Sequence, residues 1–193
     1  DLENRQLVDR LTQVLEYQDP LTRLLNRDGL AAAARELVRP LHRGRRLAVA
    51  VGNVQRLSAI NELFGIEQGD AVLALIARRL EDVAEPGAAL CRLSGDEFAI
   101  AAQVDAGSDG SHLRDVLERC MFEPFVLDGR SMPIRMSTAA KVGDPAKFEQ
   151  LVVGASSLVR EERSQRSPTL TVADGAIHER REMLSELHAG LAA

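Results

Sequence analysis

The run Leu47-Ala48-Val49-Ala50-Val51 constrains the fold of this chain more than any other segment. Five consecutive apolar residues without a helical period make a short strand buried at the centre of a sheet, because a strand with one wet face would alternate apolar and polar residues. It ends near Asn53. Around it the pattern supplies the cover such a strand needs. Helices are predicted over 28–42, where Leu30 to Leu37 is alanine-rich, over 56–63, and over 69–84, where Val72, Leu73, Leu75, Ile76 and Leu80 share one side. Strands follow at Ala89–Leu93 and Glu97–Gln103 with Ser94-Gly95-Asp96 between them, a tight hairpin signal. A helix at 109–121, strands near 123–128 and 133–141, and a helix at 146–162 complete the alternation. Alternating strands and helices with two hairpin-like pairs predict an α/β (α+β) sandwich on a mixed sheet.

Both ends carry helical patterns outside this core. Leu7, Val8, Leu11, Val14 and Leu15 mark an amphipathic helix over 2–17, broken at Asp19-Pro20. After Ser167-Pro168, Thr169–Val172 reads as an edge strand and 176–191 as an amphipathic helix. The chain starts at Asp1 and its terminal helices read as continuing, so a piece of a longer protein is expected. Its 193 residues, 45% hydrophobic, suffice for one domain with appendages. A formal charge of -5 argues against a nucleic-acid binder, which would carry a basic stripe. Cys91 and Cys120 lie far apart without Cys-x-x-Cys or a histidine at ligand spacing, so neither zinc nor a disulfide framework is expected. Apolar runs fall short of the roughly 18–20 residues needed to cross a bilayer. A cytoplasmic segment is the resulting expectation, with the parent protein free to be membrane-anchored.

Three segments together resemble the GGDEF domain, the fold of the diguanylate cyclases. Asp19-Pro20-Leu21-Thr22-Arg23-Leu24-Leu25-Asn26-Arg27 is similar to that family's opening motif DPLTGLPNR, with Arg23 and Leu25 replacing glycine and proline. Ile60-Asn61-Glu62-Leu63-Phe64-Gly65 followed by Gly69-Asp70 resembles IND-x-x-GH-x-x-GD, with Ile66 at the histidine. Arg92-Leu93-Ser94-Gly95-Asp96-Glu97-Phe98 resembles R-x-GGDEF. Order and separations match the family over about residues 19–165. The resemblance implies a palm-like mixed central sheet flanked by helices, in three parts. These are an N-terminal signalling and dimerisation helix (1–18), a GGDEF domain (19–172), and a linker helix (173–193) towards a downstream EAL phosphodiesterase domain.

A cyclase of this type holds GTP so that its 3′-hydroxyl attacks the α-phosphate of a second GTP on a facing subunit, with magnesium neutralising the phosphates. By resemblance the metal ligands fall at Asn53 and Asp96, the catalytic carboxylates at Asp96 and Glu97, guanine recognition at Asn61 and Asp70, and close phosphate approach at Gly95. Asn53 carries no charge where the family has a carboxylate, and Gln55 and Ser58 replace an acid and a lysine. Aligning the last helix on Leu158 puts Glu162 at the phosphate-binding lysine, with Arg160, Arg163 and Arg166 as neighbours able to reach in. Glu85 and Ala88 stand where the product-inhibition motif Arg-x-x-Asp would be, so no such feedback site is expected. Plainer roles also exist: Asn61 and Asp70 as helix caps, Asp96 and Glu97 as a solvated hairpin tip, and Asn53 as a strand-end turn residue.

These residues predict a degenerate GGDEF module that binds GTP weakly, holds magnesium weakly if at all, and regulates an attached EAL domain. A homodimer is expected, with neither nucleic acid nor membrane as a partner of this segment. Two rivals remain open: a weakly active diguanylate cyclase, favoured by Arg92, Asp96 and Glu97, and an interaction scaffold that binds no nucleotide.

Overall fold

Strand β1, Arg45–Val54, is buried without interruption from Leu47 to Val54. The computed structural model describes residues 16–38 and 44–165, and β1 lies inside its four-stranded sheet. Side chains alternate across a strand, so β1 feeds two cores. Leu47, Val49 and Val51 pack with Leu30 and Ala34 of helix α1 (Arg27–Val38) and with Leu151, Val152, Ala155 and Val159 of helix α5 (Phe148–Gln165). Ala48, Ala50 and Val54 join the opposite core, under helices α2 (Leu57–Phe64), α3 (Ile66–Val83) and α4 (Ser111–Arg119).

The sheet is completed by β2 (Ala89–Ser94), β3 (Glu97–Asp105) and β6 (Met136–Gly143) in the order β2-β3-β1-β6, each named pair antiparallel. Parallel pairing enters through an isolated bridge between Leu25 and Cys91 at the β2 edge. The predicted strands near 123–128 and 133–141 resolve differently from the expectation. β4 (Phe125–Leu127) and β5 (Arg130–Met132) form a separate hairpin, turning at Asp128-Gly129 with positive φ at both residues, and only from Met136 does the chain join the main sheet. Phe125, Leu127 and Met132 face inward, and their apolar contact with the second core holds this small hairpin in place. Helix α1 is described as far as Val38. Of the expected helix over 2–17 only Glu16 and Tyr17 are described, both helical, and the expected strand at 169–172 and helix at 176–191 lie outside the described residues. Among the described residues no helix is long and apolar enough to cross a membrane.

One side chain ties the opening loop to the β2–β3 hairpin. Arg92 donates to both carboxylate oxygens of Asp19, at 3.1 and 3.2 Å, and with its other two nitrogens to the carbonyl of Gly95, at 2.8 and 3.1 Å. Asp19 also accepts from the amide and hydroxyl of Thr22, at 2.8 and 2.7 Å, which closes the turn Asp19-Pro20-Leu21-Thr22. The next residue, Arg23, takes φ 66°, the left-handed region that favours glycine, which explains why the related motif has glycine there. Leu25 then exchanges backbone hydrogen bonds with β2: its amide donates to Leu90 and its carbonyl accepts from Arg92. Both cysteines are free and buried, and burial pushes each thiol up to about 12. They are packing residues, not reactive ones.

Two outcomes are expected for stability. Phe98 is fully buried at the base of the hairpin, and Phe98→Ala is expected to cost about 3–5 kcal/mol in urea unfolding. For Asp19, burial raises the carboxyl pKa, but the hydrogen bonds from Thr22 and Arg92 and the Arg92 charge outweigh it, and the net shift is downward. The stabilisation from this carboxylate is therefore complete above its unfolded pKa near 3.8 and disappears as pH falls through the lower folded value. Asp19→Asn leaves the Arg92 charge unpaired, at a cost of about 3 kcal/mol at neutral pH. It should also flatten the acid limb of a stability profile measured from pH 2 to 7; an unchanged acid limb would show that the pair contributes little.

Candidate nucleotide site

β1 delivers Asn53 to its C-terminal end inside the sheet, between Glu97 of β3 and Ser137 of β6, its register partners. The β2–β3 connection is a two-residue turn, Gly95-Asp96, preceded by a bulge between Arg92 and Ser94. The carbonyl of Asp96 accepts from the amide of Val54 at 2.8 Å, so the hairpin tip is fastened to the residue after Asn53. The backbone register thus sets Asn53 opposite Glu97 and beside the hairpin tip that carries Asp96. Gly95 stands beside them in the open: a Cβ built there would meet no atom within 4 Å.

Asn53 is 6% exposed, and its Oδ1 accepts from Nη1 of Arg163 at 2.7 Å. A guanidinium has donors only, so the amide atom facing it must be the oxygen. Gln55, which replaces an acid, turns to Ser137 and donates to its hydroxyl at 3.0 Å. The side chain that reaches the strand end from the last helix is therefore Arg163, where alignment on Leu158 had placed Glu162 at the phosphate-facing position. Burial shows why. Val159 is fully buried and Leu158 is 37% exposed, so the helix faces the sheet one residue later than that alignment assumes, and Arg163 lies one turn beyond Val159. Glu162 instead lines a cleft with Arg114, Met121, Arg135 and Thr138.

These donors do not fit the magnesium centre the family uses. Magnesium takes hard anionic oxygens, whereas Asn53 offers a neutral oxygen already engaged by a cation. A dication within about 4 Å of that guanidinium would be repelled by about 2 kcal/mol even in bulk water, and more strongly at a partly buried strand end. Among the described residues no cluster of three His, Cys, Asp or Glu side chains could hold a metal ion.

A second set of residues gathers where α2 meets α3. Oδ1 of Asn61 is buried and has no hydrogen-bond partner. It lies against the α-carbon of Gly69, where an added Cβ would come within 1.8 Å of it. Asp70 stands immediately after, half-buried in the first turns of α3. Neither side chain makes a cap: the α2 N-cap is Arg56 and the α3 N-cap Gly65, both without side-chain cap bonds. The residue pattern shows the glycine of the Gly69-Asp70 pair but not that the Asn61 amide packs against it.

Known proteins agree with this architecture. The cyclic di-GMP phosphodiesterase NbdA of Pseudomonas aeruginosa is 27% identical over 157 residues, which is 80% of this chain and 20% of that protein. The bifunctional diguanylate cyclase/cyclic di-GMP phosphodiesterase MucR of the same organism is 26% identical over 168 residues, 84% of this chain and 23% of that protein. The chain thus spans about a quarter or less of these curated relatives. Among solved structures, the GGDEF domain of YfiN from Pseudomonas aeruginosa superposes with a TM-score of 0.63 at 27% identity, covering 84% of this chain and 99% of that one. With residues 16–176 matched by the family described as diguanylate cyclase, GGDEF domain, this chain belongs to that family.

Proposed function

We propose that this GGDEF domain is a guanine-nucleotide-binding regulatory module that has lost diguanylate cyclase activity. It binds GTP weakly and biases an attached EAL phosphodiesterase domain in a cytoplasmic signalling protein. The observation that carries the binding half is the buried, unpartnered Oδ1 of Asn61 held against Gly69 beside Asp70. A buried acceptor left without a donor costs about 1–3 kcal/mol. A guanine edge supplies that donor, and an adjacent carboxylate accepts its other N–H groups, which adenine cannot match. Loss of turnover is supported by the strand end, where Asn53 meets Arg163 in place of a carboxylate meeting metal. The regulatory half rests on the relatives NbdA and MucR, whose names include phosphodiesterase activity and of which this chain corresponds to a fraction.

Calorimetry with GTP and ATP tests the binding. GTP is expected to bind with at least tenfold preference over ATP, and Asp70→Ala should weaken it by about tenfold, the value of one charge-assisted contact. No heat with GTP at millimolar concentration would overturn the proposal in favour of a scaffold. Gly69→Ala is the sharper variant, since alanine suits a helix better than glycine while its Cβ must push the Asn61 amide aside. Thermal unfolding should change little and GTP affinity should fall as in the Asp70 variant. Incubation with GTP should yield no cyclic di-GMP; measurable product would restore the weak-cyclase reading.

A further inference from the structure

We infer that Arg163 is this site's resident cation, filling at Asn53 the place a divalent ion would need, so that a guanine nucleotide engages the pocket without metal. The inference rests on the guanine-nucleotide reading for its ligand but on separate residues for its cation. Three observations carry it. Oδ1 of Asn53, the strand-end ligand position, accepts from a guanidinium at 2.7 Å, which sets a positive charge where a metal ion would have to sit. The hydrogen bond joins residues 110 positions apart, from β1 to α5, across a helix whose register is fixed by Val152, Ala155 and Val159 in the core. Asn53 is almost fully buried, while Arg163 is exposed overall, so the guanidinium has one edge held by the amide and an exposed remainder that an incoming anion can reach. Arginine suits this work because its planar fork can hold a carbonyl oxygen on one edge and phosphate oxygens on another.

The pair is also self-consistent. A carboxylate at position 53 would form an ion pair with Arg163 and be neutralised by it, whereas an amide fixes the guanidinium without consuming its charge. Asp96 and Glu97 remain at the hairpin as negative neighbours, Glu97 directly opposite Asn53 in the sheet. One fixed cation against two carboxylates leaves the pocket a weak phosphate binder, in keeping with weak affinity for GTP. The loss of metal is thus a property of two positions together, and reversing either alone does not undo it.

Manganese binding followed by electron paramagnetic resonance on the 193-residue chain reads the cation directly. The parent chain and Asn53→Asp are expected to bind no Mn²⁺ at submillimolar concentration. Asn53→Asp combined with Arg163→Ala should bind at least tenfold more tightly than either single variant, with Arg163→Gln as the milder partner if the alanine variant is poorly folded. Mn²⁺ binding by the parent chain, or equal binding by Asn53→Asp with and without Arg163, would overturn the inference. In calorimetry, GTP affinity of the parent chain should differ by less than about threefold between EDTA and Mg²⁺, and Arg163→Ala should weaken GTP by about tenfold while leaving guanosine unchanged. Binding that appears only with Mg²⁺ overturns the metal-free site and leaves guanine recognition standing. Absence of GTP binding under both conditions overturns the nucleotide reading, and the manganese series still decides the cation.

Discussion

The guanidinium of Arg92 is the joint on which the site depends. It holds the carboxylate of Asp19 on one side and the carbonyl of Gly95 on the other. The first bond fixes the turn through which the chain arrives at the sheet edge, and the second fixes the tip that carries Asp96 and Glu97. The side chains of Arg92 and Asp19 are 13% and 17% exposed, so water competes weakly for this pair and the bonds hold more than a surface ion pair would. From that joint the geometry propagates. With the turn at Gly95-Asp96 held, the carbonyl of Asp96 meets the amide of Val54, and the end of β1 is registered against the hairpin with no freedom to slide.

β1 converts that registry into two separate environments. Because alternate side chains enter opposite cores, Asn53 lies on the face covered by α1 and α5, while the Asn61–Gly69 contact belongs to the helices over the other face. The Asn53–Arg163 bond and the Asn61–Gly69 contact are therefore built on different layers. In the proposed function, that separation lets one half keep a polar acceptor while the other pairs an amide with a guanidinium.

The legible part of this fold was whatever carried strong periodicity or a turn with a mechanism. Leu47 to Val51 announced β1, and Gly95-Asp96 between two apolar runs announced the hairpin. β5 falls in the gap between the strands expected near 123–128 and 133–141, because Arg130–Met132 spans three residues, too few to show alternation. Arg163 was harder for a different reason. Each residue of a helix turns the side chain by about 100°, so choosing between Leu158 and Val159 as the buried position decides whether an acid or a base faces the strand end. Both are apolar, and only the sheet beneath α5 distinguishes them. The amide at position 53 is plain in the sequence, but its partner is not, since Arg163 lies 110 residues away.

A site that binds without turnover influences a neighbour only through a difference in affinity between two states of the whole protein. Weak binding does not preclude this. A tenfold difference in affinity shifts an equilibrium by about 1.4 kcal/mol whatever the absolute dissociation constant, provided the nucleotide is abundant enough to fill the site. The Asn53–Arg163 bond supplies a place where such a difference can arise. Arg163 stands two residues before Gln165, where described helix α5 ends, and its charge is held by an amide, not a carboxylate. In the proposed function, drawing the guanidinium towards phosphate loads the last described turn of α5, whereas an ion pair or a coordinated metal at Asn53 would anchor that turn independently of ligand. The amide at position 53 thereby leaves the described end of α5 responsive to the nucleotide in the proposed function.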